Sequence, residues 1–191
     1  MKIFANINDP EIITRLNQGE VGVLPSDSVY GLMCLARNPE AVDRLYRLKQ
    51  RENKPGTLIG ASSEQFFELG LSHDQLKMAE QYWPGPVSVV VPAGTTLSYL
   101  HLGSESLAVR VPAEPGLNEI LKHTGVLQTS SANLTNQPVA NTVDEARNYF
   151  GDNVDFYVDG GDLSGRQATT ILQITDGGVK VLRQGAQQVV S

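Results

Sequence analysis

An α/β fold, with helices packed on a twisted mixed sheet, is what this sequence predicts, and three observations carry the expectation. Apolar runs of strand length recur, as at residues 21–24, 87–91 and 107–111. Stretches with apolar residues at helical spacing lie between them, beginning with Ile12, Ile13 and Leu16. Near the end, residues 170–174 and 179–182 flank Thr175-Asp176-Gly177-Gly178, the composition of a β-hairpin turn. A chain of 191 residues with 40% hydrophobic and 19% charged residues supports one core and excludes a disordered protein. Glycines and prolines are spread along it without pooling in a linker, so the expectation is a single domain over residues 1–191.

The elements follow in order. Asn8-Asp9-Pro10 opens the first helix and Gly19 closes it, because proline suits a first turn and glycine a helix end. Val21, Val23 and Leu24 make a short strand. Asn38-Pro39 opens a second helix with Val42, Leu45, Tyr46 and Leu48 inside, which leaves Lys49 and Arg51 at its C-terminal end. The helix dipole favours cations there. A strand at residues 57–59 follows, then helices over 63–69, 73–82, 115–123 and 142–149, with strands over 87–91, 107–111 and 126–129. Trp83-Pro84-Gly85-Pro86 forces an extended entry into the strand at 87–91 and reads as structural.

Composition excludes several functions. With 15 basic and 21 acidic residues the net charge is −6, which disfavours a surface given wholly to nucleic acid and leaves only a local basic patch. No stretch approaches the roughly 18 to 20 apolar residues of a membrane span, and the start turns polar within its first residues, so neither membrane insertion nor export is expected. One cysteine, Cys34, forms no internal disulfide, and the histidines lack zinc spacing; no metal site is expected and a reducing cytoplasm is. The Gly-x-Gly-x-x-Gly pattern, the P-loop and the Gly-x-Ser-x-Gly elbow are all absent, so neither standard phosphate loop nor nucleophilic hydrolysis has support.

Polar loops at strand and helix ends carry the remaining chemistry. Pro25-Ser26-Asp27-Ser28-Val29-Tyr30-Gly31-Leu32 leaves the strand at 21–24 with two hydroxyls two residues apart, either a ligand loop or a turn bonded to itself. Lys49-Gln50-Arg51-Glu52-Asn53-Lys54-Pro55 gathers three cations that suit phosphate oxygens or form a solvated helix end. In Leu107-Ala108-Val109-Arg110-Val111-Pro112, period-two alternation puts Arg110 on the face of Ala108, where it needs an anionic partner, a protein carboxylate or a ligand phosphate. Thr129-Ser130-Ser131-Ala132-Asn133 either caps a helix or surrounds a polar ligand.

In this order the motifs closely resemble those of the YrdC-like L-threonylcarbamoyladenylate synthases. That family has a Pro-Thr-Asp/Glu-Thr/Ala-Val-Tyr/Phe-Gly loop, a Lys-x-Arg motif, Trp-Pro-Gly-Pro, Ala-Val-Arg-Val/Ile-Pro and Ser-x-Asn. Here they stand as residues 25–31, 49–51, 83–86, 108–112 and 131–133. Ala168-Thr169-Thr170-Ile171 and Leu182-Arg183-Gln184-Gly185 are similar to the family's Pro-Ser-Thr-Ile and Arg-x-Gly. The chain departs from the pattern with serine at 26 and 28, where threonine is commoner, alanine at 168 and threonine at 169. Coverage is nearly end to end, as in the short, single-domain form of the family.

The resemblance implies a reaction in which L-threonine, bicarbonate and ATP, accompanied by Mg²⁺, give threonylcarbamoyl-AMP, pyrophosphate and water. The product would feed N6-threonylcarbamoyladenosine formation at position 37 of tRNA through downstream transfer proteins. By motif position, Lys49 and Arg51 would be catalytic, holding phosphates or carbamate with Lys54 assisting. Ser26, Ser28, Tyr30 and Ser130 would meet threonine. Arg110, Ser131, Asn133, Thr169 and Arg183 would complete the nucleotide side. Two alternatives stand beside this: a non-catalytic module binding tRNA or double-stranded RNA, and the related carbamoyl-transfer domain of hydrogenase maturation proteins, which normally sits in a much longer chain.

Overall fold

The computed structural model of the protein describes residues 1–50, 54–175 and 178–189. The chain opens with β1 (Lys2–Phe4), α1 (Glu11–Asn17), β2 (Gly22–Leu24) and β3 (Gly31–Leu35). Asp9 accepts from the Glu11 amide at 2.9 Å as α1 begins, and Gly19 takes a φ of 85° beyond its end. Then comes α2 (Pro39–Leu48), where the Asn38 side chain caps the Glu40 and Ala41 amides at 3.1 Å each. The middle of the chain supplies β4 (Thr57–Ile59), α3 (Ser63–Glu68), α4 (His73–Ala79), β5 (Val87–Pro92), α5 (Ser98–His101) and β6 (Ser106–Arg110). It closes with α6 (Pro115–Thr124), β7 (Leu127–Ser131), α7 (Val143–Phe150), β8 (Phe156–Val158), β9 (Thr170–Thr175) and β10 (Gly178–Arg183).

All these strands join one mixed sheet in the order β1-β8-β2-β3-β7-β4-β6-β5-β9-β10. The predicted antiparallel pairing of the last two strands is present, Val179 opposite Ile174, while Asp176 and Gly177 of the expected turn lie outside the described residues. Four elements were not foreseen: β1, β3, β8 and α5. Strands and helices of three to five residues are too short for a period to declare itself, and β3 begins inside a loop motif. Among the described residues no helix is long and apolar enough to cross a membrane.

Alternation along the strands sorts side chains onto two faces. On one face Leu32, Cys34, Leu58, Val89, Val109 and Leu172 enter the larger core, to which α2 contributes Val42 and Leu45 and α7 Phe150. On the other, Met33, Ile59 and Leu127 form a smaller core with Ile12 and Leu16 of α1 and Leu117, Ile120 and Leu121 of α6. The small core covers only part of its face. Beside it the strands carry short side chains and the sheet is open.

Candidate active site

The opening is a cavity of about 230 Å³ whose floor is the sheet itself. Met33, Thr129, Thr57 and Ala108 stand in one cross-strand row, because Met33 pairs with Thr129, Thr129 with Thr57 and Thr57 with Ala108. Three of the four are small, which is why the face leaves volume where its neighbour row, Leu35, Leu127 and Ile59, is packed under α1 and α6. Gly56 closes the floor at the start of β4. A Cβ there would stand 2.0 Å from Gln128 Nε2 and 2.5 Å from the Thr129 carbonyl oxygen, so no larger residue fits.

The loop at residues 25–30 forms one wall of the cavity and is also bonded to itself. Ser26 and Ser28 line the cavity. Ser26 Oγ also donates to the Val29 carbonyl at 2.7 Å and accepts from the Ser28 amide at 3.1 Å, the self-bonded turn. Its oxygen lies 3.1 Å from Ser28 Oγ. Tyr30 lies at the cavity edge with its side chain buried in the larger core, where its hydroxyl donates to the Gly161 carbonyl and accepts from the Gly160 amide, each at 2.8 Å. Burial pushes this phenol above its ordinary pKa, so it remains a neutral donor.

Arg110 ends β6 on the face of Ala108, as alternation predicts, and lines the cavity. Its anionic partner is a protein carboxylate: Nη1 pairs with Asp27 Oδ1. Across the cavity Arg183 donates from Nη2 to the Thr169 carbonyl at 2.8 Å, and Thr169 Oγ1 accepts from Ser88 Oγ at 3.1 Å. Partial burial lowers the Arg183 pKa, but an arginine stays cationic at neutral pH. Ser130 and Ser131 complete the lining from the end of β7.

Lys49 is only 2% exposed and is not among the residues lining the cavity. Nζ donates to the carbonyl oxygens of Ser131 and Asn133 and, at 2.7 Å, to Asn133 Oδ1. A buried ammonium requires acceptors, and the end of β7 supplies them. Asn133 is likewise in the layer behind the wall: Oδ1 also accepts from Ser131 Oγ at 2.7 Å, and Nδ2 donates to the Gln137 carbonyl at 2.6 Å. Lys54 is exposed and off the cavity lining. Arg51 lies outside the described residues.

Several site residues escaped the sequence reading. Ser88 carries the lone hydroxyl in the run Val87-Ser88-Val89-Val90-Val91, so strict alternation could have found it. Arg166, whose Nη1 donates to the Ser26 carbonyl at 2.6 Å, comes from a loop 140 residues away and has no such signal. Cys34 is buried and its thiol pKa is driven up by burial, which removes it as a nucleophile. Trp83 is structural as read: Nε1 donates to the Val87 carbonyl at 2.8 Å and the ring packs against Phe66.

The Sua5/YciO/YrdC family model, described as telomere recombination, matches residues 14–185. Threonylcarbamoyl-AMP synthase of Vibrio campbellii is 36% identical over 186 residues, which cover 93% of this chain and 99% of that one. Sua5 of P. abyssi, solved in complex with L-threonine, superposes with a TM-score of 0.82 at 22% identity over 96% of this chain and 57% of its own. Full-length HypF, solved in a phosphate- and nucleotide-bound form, superposes with a TM-score of 0.81 at 18% identity, and the match spans 28% of that longer chain. The two structural likenesses speak for the fold.

Proposed function

The chain belongs to the Sua5/YciO/YrdC family, and from that premise we propose that it is an L-threonylcarbamoyladenylate synthase, an enzyme of the nucleotidyltransferase type. The observation that carries this reading is the cavity: hydroxyls and two guanidinium groups around a floor of small side chains, with no nucleophile and base among its lining residues. The chemistry asks for none. The threonine amine adds to bicarbonate, water leaves, and a carbamate oxygen attacks the α-phosphorus of MgATP. The bond from that phosphorus to the bridging oxygen breaks, and pyrophosphate departs. Negative charge spreads over phosphate oxygens as this happens, and preset cations and donors stabilise it.

Ser26, Ser28, Tyr30 and Ser130 take the amino acid in this reading. Arg110, Arg183, Ser131 and Thr169 take the nucleotide, with Lys54 from the segment before β4, and Arg51 is assigned to the phosphates by motif position alone. Lys49 and Asn133 act from behind the wall, bracing Ser131 through the bonds to the end of β7. The adenylate is consumed in tRNA N6-threonylcarbamoyladenosine formation by cytoplasmic transfer proteins. The curated relatives support the synthase and not a non-catalytic RNA-binding module.

Purified protein with MgATP should release pyrophosphate only when bicarbonate and an amino acid are both present. A site that hydrogen-bonds a substrate hydroxyl discriminates far more strongly than one that packs a methyl group. L-threonine should therefore react well, L-serine less, and L-valine near background, with the labile adenylate detected by mass. Equal pyrophosphate release without amino acid or bicarbonate overturns the assignment.

A further inference from the structure

Asp27 is the charged residue of the serine loop, it has no assigned role in the site, and both of its carboxylate oxygens are engaged. Oδ1 accepts from Arg110 Nη1, and Oδ2 accepts from the Ala113 amide at 2.9 Å. The pair is nearly sealed, with the Arg110 side chain 4% and the Asp27 side chain 11% exposed. One carboxylate thus ties three things together: the loop that presents Ser26 and Ser28, the last residue of β6, and the segment leading out to α6.

Arg110 is only partly used by this arrangement. Its Nε is buried with no hydrogen-bond partner, although the residue stands in the cavity wall. A buried guanidinium with an unmatched N–H is unfavourable unless another molecule completes it. Were Asp27 absent, the same guanidinium would be an uncompensated charge beside the cavity, free to seek any anion. With Asp27 in place the pair is neutral, the fork is held in one orientation, and recognition depends on geometry instead of bulk attraction.

We propose that Asp27 is a positioning residue that neutralises and aims Arg110 and couples it to the serine loop, so that the cavity selects its substrate over simple polyanions such as pyrophosphate. This rests on the synthase reading for its kinetic half only. Pyrophosphate binding needs no turnover, so titration calorimetry tests the charge half even in an inactive protein.

The experiment compares the whole chain with Asp27→Asn and Asp27→Glu, measuring KM for L-threonine and for MgATP, kcat, the dissociation constant of inorganic pyrophosphate, and the melting temperature. Asp27→Asn should raise KM for L-threonine by about tenfold, the equivalent of one charge-assisted contact, with a smaller change in kcat. The same variant should bind pyrophosphate more tightly, by several-fold, because Arg110 has lost its counter-charge. Asp27→Glu keeps the charge at a longer reach: pyrophosphate affinity should return to the wild-type value while KM for L-threonine stays raised. A lower melting temperature with unchanged KM and unchanged pyrophosphate affinity reduces Asp27 to a structural ion pair and overturns the proposal. Should Asp27→Asn fail to fold, Asp27→Glu decides: wild-type KM in that variant overturns the positioning role. Absence of turnover in wild-type protein condemns the synthase reading, and the pyrophosphate titration then still judges Asp27.

Discussion

The two faces of the same strands do opposite work. In β4, Leu58 is fully buried in the larger core while Thr57 looks into the cavity; in β6, Val109 is buried and Ala108 and Arg110 line the opening. Backbone, register and neighbours are shared, and only the alternation separates structure from site. The core face is filled by large branched side chains under helices, the cavity face by Thr, Ala, Ser and Gly beside a helix-covered patch. A site of this kind is made by leaving volume out of one face, at a stability cost that the other face offsets.

The difference can be broken from either side. The largest effect on stability is expected from the core face. Leu58→Ala removes a fully buried side chain and should destabilise by about 2 to 5 kcal/mol, read as a lower denaturant midpoint, with KM for L-threonine unchanged in the folded fraction. A shift in KM larger than the loss of stability explains would show that the faces are not independent.

Lys49→Met tests the layer between. It removes the ammonium donor from the Ser131 and Asn133 carbonyls and from Asn133 Oδ1; the Ser131 carbonyl keeps the Asn133 amide and Oδ1 keeps Ser131 Oγ, so the loss falls on the Asn133 carbonyl, at about 1 to 3 kcal/mol. Melting temperature and turnover should fall together. A normal melt with weakened pyrophosphate binding would instead place this lysine in direct contact with the substrate.

The smallest effect on stability belongs to the cavity floor. Ala108→Leu adds carbon atoms into open space, so stability should move by less than about 1 kcal/mol while KM for MgATP or L-threonine rises by about tenfold or more. A fall in melting temperature as large as that of Leu58→Ala would mean that the floor is packed like the core.

Much of this was legible in the chain. Asn38 and Pro39 announced α2, the run at 107–111 announced β6, and alternation alone put Arg110 with Ala108 and against Val109. The motif order announced the family. Each of these is a local matter, set by the period of a helix or strand, by a cap, or by a few neighbouring residues. Other features depend on chain closure over long distances. Asp27 and Arg110 are 83 residues apart, Lys49 and the Ser131 carbonyl 82, and β8 enters the sheet between β1 and β2 from the far end of the sequence. A sequence lists which residues carry charge and hydroxyls, and local periodicity assigns them to a face. Which cation opens to the cavity and which is consumed behind its wall is decided only when the folded strands bring distant acceptors into reach, because a buried charge bonds whatever partner the tertiary structure delivers.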